Sequence, residues 1–477
     1  MDHFLRSQEL VSNVVSKLLG LGLEPSTKDL AVLARACKAF KNPALDALWR
    51  KQHNLMNLVK CMPIGVWEAV DVDGIMTLKR SRELVASDWE RVLEHSGRVK
   101  LLICQDPVQE EDANDPSLLE VYATLSGGGA PDCLLRNLQR LSWHHHQIPF
   151  FSIFHLLLGP KLSFIDLPSL SADPSLFNPL AGRFLHLVSL TIPVPHHGHL
   201  STIMLKHVGR LETFEAIEFV LDNAIMLAGI TDSSLFSHLR AAKLEAYEIS
   251  HLVAFVCTWN SPQLRSFSAE ILNSLEVAGL EGLYQGLVAH CAHAQLYKVE
   301  VNFVYSYFLE CYASAEDPQT PTSIHRGHFF RQLYVFTHLK EVDIGVPFGY
   351  DIDDRNISDM AQAWPNLEKL VLGSYSSYQP ECTLLSLSAL GKYCPCLSVA
   401  EITLDASNVP ALPIAPAQQL IHDKLISFDA AFSQILDPPA VATFISSIFC
   451  NLRGVQSSLE AADNRLRWMA VNQILQS

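Results

Sequence analysis

The chain has no long hydrophobic run. None of its apolar stretches reaches the ~18 uninterrupted residues of a membrane-spanning helix, and the best of them, Phe150 to Leu158, stops at Gly159-Pro160-Lys161. The opening Met1-Asp2-His3 carries neither a basic n-region nor an apolar h-region, so a secretory signal is not expected. Charge is sparse, at 18% of residues, and positive charge is the scarcer sign, with 35 Lys and Arg against 50 Asp and Glu. Catalytic signatures are missing as well: no Gly-x-Ser-x-Gly elbow, no His-Glu-x-x-His helix and no dinucleotide fingerprint occurs. Gly127-Gly128-Gly129 lacks the Lys-Ser/Thr of a phosphate loop, and Cys394-Pro395-Cys396 lacks the second pair that a zinc site requires. These gaps argue against an enzyme, and no cofactor or metal is expected.

The histidine runs do not repair that gap. His144-His145-His146 and His196-His197-Gly198-His199 are consecutive, and neighbouring residues on a strand point to opposite faces, so three in series cannot converge on one ion. They read as polar edges of turns. Eleven cysteines, an odd and scattered set, argue for a reducing compartment, cytoplasm or nucleus, over a disulfide framework. Cys37, Cys257 and Cys450 sit in apolar patterns where a thiol serves as a small hydrophobe.

What is present is apolar and periodic. Nearly half of the 477 residues are hydrophobic, enough for a large core. The pattern Leu-x-x-apolar-x-apolar begins at Leu138, Leu162, Leu187, Leu211, Leu239, Leu264, Leu296, Leu339, Leu367 and Leu397, in steps of 24, 25, 24, 28, 25, 32, 43, 28 and 30. Spacing of this kind marks a solenoid whose units bury their apolar faces only against neighbours. Between strands the period changes to helical: Ile357, Met360, Ala361 and Trp364 form a stripe ending at Pro365, and Val441, Phe444, Ile445 and Ile448 form another before Cys450-Asn451-Leu452. Leu384 and Leu387 precede Cys394-Pro395-Cys396-Leu397 in the same way, and the proline stops the helix. The gap from Leu397 to Leu452 is two units wide, so a degenerate copy is expected near Leu425. Irregular insertions are expected near 105–132, as a surface loop or short helix, and near 310–325.

Residues 26–51 predict a tight helical pair. Ser26 and Asp29 have capping-box form, Leu30, Leu33, Ala34 and Cys37 make one stripe, and Asn42-Pro43 predicts a fresh helix start before Leu45, Leu48 and Trp49. Leu10, Val14 and Leu18 predict a preceding helix. Gln8-Glu9-Leu10, Asp29-Leu30, Cys37-Lys38, Phe40, Ala44-Leu45 and Leu48-Trp49-Arg50 carry a resemblance to the F-box, in particular the F-box-like start of large fungal (basidiomycete-type) protein families. The phrases AQAWPNLEKLVLG and LGKYCPCLSVAEITLDAS are similar to the leucine-rich body of the same families. The chain departs from the F-box pattern at Phe4-Leu5-Arg6-Ser7, which has no Leu-Pro pair, and at Phe40, where many F-boxes have Trp.

The fold this implies is α/β: a short N-terminal three-helix F-box-like module over 1–60, then an irregular leucine-rich-repeat horseshoe over 61–477 with parallel strands concave and helices convex. The resemblance implies a substrate-recognition subunit of an SCF-type cullin–RING ubiquitin ligase, docking a Skp-family adaptor and through it a cullin. Leu10, Val14, Leu30, Leu33, Cys37, Phe40, Leu45, Leu48 and Trp49 are the candidate adaptor-binding residues. The alternative is a non-catalytic interaction scaffold whose degenerate F-box is only a structural cap. Within the strand pattern, Thr191, Glu215, Lys243, Ser268, Glu300, Asp343, Val371 and Glu401 fall between the last two apolar positions and make a candidate target-binding stripe on the exposed face. Four acids against one Lys predict a target with a basic surface. Residues 1–60 hold nine Lys/Arg and five Asp/Glu while the other 417 hold 26 and 45, so the basic start suits an acidic protein partner and the acidic body disfavours nucleic acid.

Overall fold

The computed structural model describes residues 27–72, 75–104, 116–126, 130–145, 153–167, 185–192, 202–221, 235–272, 277, 279–304, 324–374, 381–411, 422–457 and 462–476. By contacts the chain divides into two compact units, 1–214 and 215–477.

The first unit opens with helices Thr27–Ala36 and Lys38–Arg50. The break between them falls at Cys37, whose extended backbone (φ −158°, ψ 161°) ends one helix and begins the next. The expected restart at Asn42-Pro43 is therefore corrected: Pro43 lies inside the second helix and is buried. Cys37 is exposed at the break, not part of a buried stripe, and Cys257 and Cys450 are exposed too. Strand β1 (Lys51–Gln52) follows directly. Strands β2 (Trp67–Val72) and β3 (Ile75–Arg80) pair as an antiparallel hairpin. Strands β4 (Leu101–Cys104), β5 (Arg140–Trp143), β6 (Phe164–Asp166) and β7 (Ser189–Ile192) extend β1 into a parallel sheet in the order β1-β4-β5-β6-β7. Of the 105–132 insertion, Pro116–Leu125 is a short helix, while 105–115 and 127–129 lie outside the described residues.

In the second unit the strands are β8 (Ala216–Leu221), β9 (Ala241–Ala246), β10 (Ser266–Ile271), β11 (Lys298–Phe303), β12 (His325–Arg326), β13 (Glu341–Val346) and β14 (Tyr350–Asp351). They continue as β15 (Lys369–Ser374), β16 (Val399–Ile402), β17 (Asp405–Ala406), β18 (Ser427–Asp429), β19 (Gln434–Ile435) and β20 (Val455–Gln456). Nine form one parallel sheet, β8-β9-β10-β11-β13-β15-β16-β18-β20, and the pairs β12/β14 and β17/β19 stand outside it. The copy expected near Leu425 is β18, with Leu425, Phe428 and Ala430 buried. Most of the 310–325 insertion lies outside the described residues.

Parallel sheets are usually covered on both faces. Here burial alternates residue by residue along β8, β10 and β11. One face is covered, as where Phe219 meets Phe255 of helix Ile249–Val256 at 5.0 Å and Phe267 meets Trp259 just beyond that helix at 6.2 Å, and the other stays half-exposed. That one-sided burial, with Ile357, Met360, Ala361 and Trp364 all inside, is the leucine-rich-repeat arrangement read from the spacing. Adjacent helices pack so closely that a Cβ on Gly279 would lie 2.2 Å from Ile249 Cγ2.

The entry to most strands of the parallel sheets is fixed by a repeated two-to-one hydrogen bond. The Glu215 carbonyl accepts from the N–H groups of Arg240 and Ala241, Arg240 from Arg265 and Ser266, and Arg265 from Tyr297 and Lys298. The ladder continues through Tyr297, Lys340, Glu368 and Ser398. In the first unit Lys100, Gln139 and Ser163 do the same. Buried turn backbones must find partners, and these shared carbonyls supply them.

Candidate functional site

Register defines the half-exposed stripe of the second unit. Across the sheet, Glu218, Lys243, Ser268, Glu300, Asp343, Val371, Glu401 and Asp429 are cross-strand partners in one column. Six of the eight residues read from the sequence, Lys243, Ser268, Glu300, Asp343, Val371 and Glu401, fall in it, and a seventh, Thr191, falls in a column of the first unit with Ile103, Ser142 and Asp166. Glu215 is corrected. It precedes β8, and Glu218 pairs with Lys243 instead. The repeat unit is Phe214-x-x-Ile217-x-Phe219, with all three apolar residues buried, so Leu211 was the wrong origin by three residues. The signal was in the spacing: stepping back 25 from Leu239 lands on Phe214. Asp429 is a further member, reached by extending the rule to Leu425.

Five carboxylates and one Lys thus share the column, and the cations on this face are committed. Lys243 Nζ lies 2.7 Å from Glu218, Lys298 Nζ lies 3.0 Å from Glu300 and 3.5 Å from Glu341, and Lys369 Nζ lies 2.5 Å from Asp343. Glu401 and Asp429, on adjacent strands, have no ion pair among the described residues. Two positions along, Glu245 and Glu270 form a second like-charged neighbour pair. Burial first, then Glu270, pushes the Glu245 carboxyl above the usual carboxylate range. Burial, then the charges of Asp429 and Asp343, pushes Glu401 up to about 7 against the opposing pull of Lys369. Crowded carboxylates of this sort hold protons more tightly and gain most from an incoming cation.

The helical pair places its candidates unevenly. Leu30 is buried and holds the helices together. Leu33, Phe40, Leu45, Leu48 and Trp49 are half-buried, and Leu10 and Val14 lie outside the described residues. Trp49 stacks on the His95 ring at 4.8 Å and 14°. Arg98 ties the second helix down, donating to Asp46 and to Asn42 Oδ1 at 3.1 Å. Arg50 runs straight into β1.

Other titratable residues meet at Ser142 and His145. Ser142 Oγ donates to Asp166 Oδ2 at 2.9 Å and lies 2.8 Å from His144 Nε2. The carboxylate bonds the hydroxyl and does not orient the imidazole, so the nucleophile–base–orienter chain of a hydrolase is not formed. His145 is buried beside Tyr122, its Nε2 3.4 Å from the phenol oxygen, and is no turn edge; His146 and 196–199 lie outside the described residues. Among the described residues no group of three or more His, Cys, Asp or Glu could hold a metal, and no helix is long and apolar enough to cross a membrane.

No protein-family model matches the chain, and no curated protein matches it either. Among solved structures, a chain from the crystal structure of the Rad7 and Elc1 complex in yeast is similar at 14% identity and a TM-score of 0.39, over 96% of this chain and 90% of that chain.

Proposed function

We propose that this chain is a substrate receptor of a cullin–RING ubiquitin ligase. Helices Thr27–Ala36 and Lys38–Arg50, with the segment before them, dock a Skp-family adaptor. The repeat sheet holds a target protein through a basic segment, in the cytoplasm or nucleus. The observation that carries the reading is the register column of five carboxylates whose neighbouring lysines are already paired. The F-box resemblance of residues 8–50 supplies the adaptor. The chain contributes proximity and no reacting group: held near the ubiquitin-loaded enzyme, target lysines gain effective concentration.

Affinity purification of the tagged full chain tests both halves. Wild type should recover the adaptor and cullin together with target proteins. Leu33→Glu with Leu48→Glu should lose the adaptor and keep the targets, whereas Glu218→Lys with Asp429→Lys should do the reverse. Wild type that recovers targets without adaptor favours the second reading, an interaction scaffold. That reading has its own support: Leu30 and Ala44 are buried and the second helix joins β1 without a loop, as an end cap would.

A further inference from the structure

We infer that a groove in the first unit binds a short segment of a partner protein in which carboxylates flank an apolar side chain. The groove lies on the helical pair assigned above to the adaptor, so the inference rests on that reading and names the chemistry of the segment that enters; peptide binding without adaptor recovery would separate the two. The groove has a volume of about 650 Å³, within the range of ligand-binding clefts. Leu48, Trp49 and Met56 give it an apolar floor, and Lys28, His53 and Lys60 stand on its rim. Trp49 is held in orientation by its stack on His95, so the floor is set before anything binds.

Two of the groove's lysines, Lys28 and Lys60, are uncommitted among the described residues. Lys28, His53 and Lys60 are exposed, and none of them is in an ion pair with a described residue. Over residues 27–60 there are seven Lys and Arg against two acids, and one of those acids, Asp46, is already held by Arg98. This contrasts with the sheet face of the second unit, where Lys243, Lys298 and Lys369 are paired at 2.5–3.0 Å. Gln52 cannot serve as the reader of a ligand. Its Nε2 donates to the Leu48 and Lys51 carbonyls, and its Oε1 accepts from Asn57 Nδ2 at 3.0 Å. Recognition therefore falls to the rim side chains Lys28, His53 and Lys60 and to the apolar floor. Charge complementarity steers the encounter, and burial of an apolar side chain against Trp49 adds affinity. A phosphate backbone would satisfy the rim and leave the floor empty, which favours a protein segment.

Fluorescence anisotropy on the full chain tests this with two labelled peptides, one of alternating Asp and Leu and one of alternating Asp and Ser. The Asp-Leu peptide should bind saturably, weaken with added salt, and lose about tenfold in affinity, a change of about 1.4 kcal/mol, when Lys28→Glu and Lys60→Glu are combined. Both positions are exposed, so the fold should survive, and a circular-dichroism melt checks it. Lys161→Glu, also exposed and away from the groove, should bind as wild type does. Met56→Gln should weaken the Asp-Leu peptide alone. Absence of saturable binding, equal affinity for the Asp-Ser peptide, or binding unchanged in the double variant would each overturn the proposal.

Discussion

Asn472, on the C-terminal helix Ala462–Gln476, takes both backbone groups of Val455 in strand β20. Its Nδ2 donates to the Val455 carbonyl at 2.7 Å, and its Oδ1 accepts from the Val455 N–H. A single carboxamide thus stands where the next strand of the sheet would pair. An uncovered edge is a template for association, and the helix also seals the apolar end, with Trp468 and Val471 buried and the Trp468 indole N–H donating to the Ser433 carbonyl at 3.0 Å. Asn472→Leu keeps the bulk and removes both bonds. It should cost about 2 kcal/mol in urea denaturation and raise light scattering on warming. An unchanged scattering onset would show that the helix alone closes the edge.

Successive repeats are also joined by a half-buried acceptor. Asp354, in the first turn of helix Asp354–Ala363, accepts from the Thr383 N–H at 2.8 Å, the Thr383 hydroxyl at 2.7 Å and the Ser386 hydroxyl at 2.6 Å, all at the start of the following helix Leu384–Tyr393. Hydrogen bonds to an ionised acceptor are the stronger kind. Asp354→Ala strands three donors and should lower stability by about 3 kcal/mol, while Asp354→Asn should recover part of it. A loss under about 0.5 kcal/mol, the level of an ordinary surface change, would remove Asp354 from the joints of the array.

The strand spacing was legible because each buried position is read by one apolar side chain. Leu239, Leu264, Leu296, Leu339, Leu367 and Leu397 all lie inside. Leu211 and Phe214 stand three apart, so two origins fit the same local pattern; the 25-residue step from Leu239 favours Phe214, and the register of β8 with β9 settles it. Asn42-Pro43 has the chemistry of a helix start, yet the extended residue at Cys37 had already begun the helix, and Pro43 gives up a single bond within it. The groove beside Trp49 could not be read at all, since it is lined by Lys28 at the start of the first helix and by Lys60, which lies beyond the helical pair after Met56–Val59. The same limit holds for Glu401, whose titration depends on Asp429 in the next repeat.

His325 makes stability sensitive to acid. Its ring is fully buried, 4.4 Å from Phe330 and 5.4 Å from Tyr350, with Nδ1 unpartnered and Nε2 3.4 Å from the Tyr284 hydroxyl. Burial pulls its pKa down to about 3 from the ordinary 6.5. Between those values the unfolded chain takes the proton and the folded chain does not. The contribution is whole above pH 6.5 and is lost as pH falls toward 3, at about 1.4 kcal/mol per pH unit. His325→Phe removes this linkage, so between pH 7 and pH 5 wild type should lose about 2 kcal/mol more than the variant. Equal losses in matched urea titrations would mean that water or a rearranged ring accepts the charge.

Glu401 has the opposite sign, and it ties stability to recognition. Burial and the charges of Asp429 and Asp343 raise its folded pKa to about 7, above the 4.5 of an unperturbed glutamate. The favourable proton is held below pH 4.5 and released as pH rises through 7, so the ionised carboxylate is a burden on the fold at pH 8. Glu401→Gln should therefore unfold at higher urea than wild type at pH 8, with the gain fading at pH 5. A basic partner reverses the balance, because its cation favours the ionised form and binding then expels a proton. Calorimetry with a captured basic segment in buffers of different ionisation enthalpy should register that release near pH 6.5, and Glu401→Gln should abolish it while weakening binding. A variant that gained stability without losing affinity would place the partner elsewhere on the sheet. If both change together, the strain among these carboxylates is maintained for the sake of the ligand.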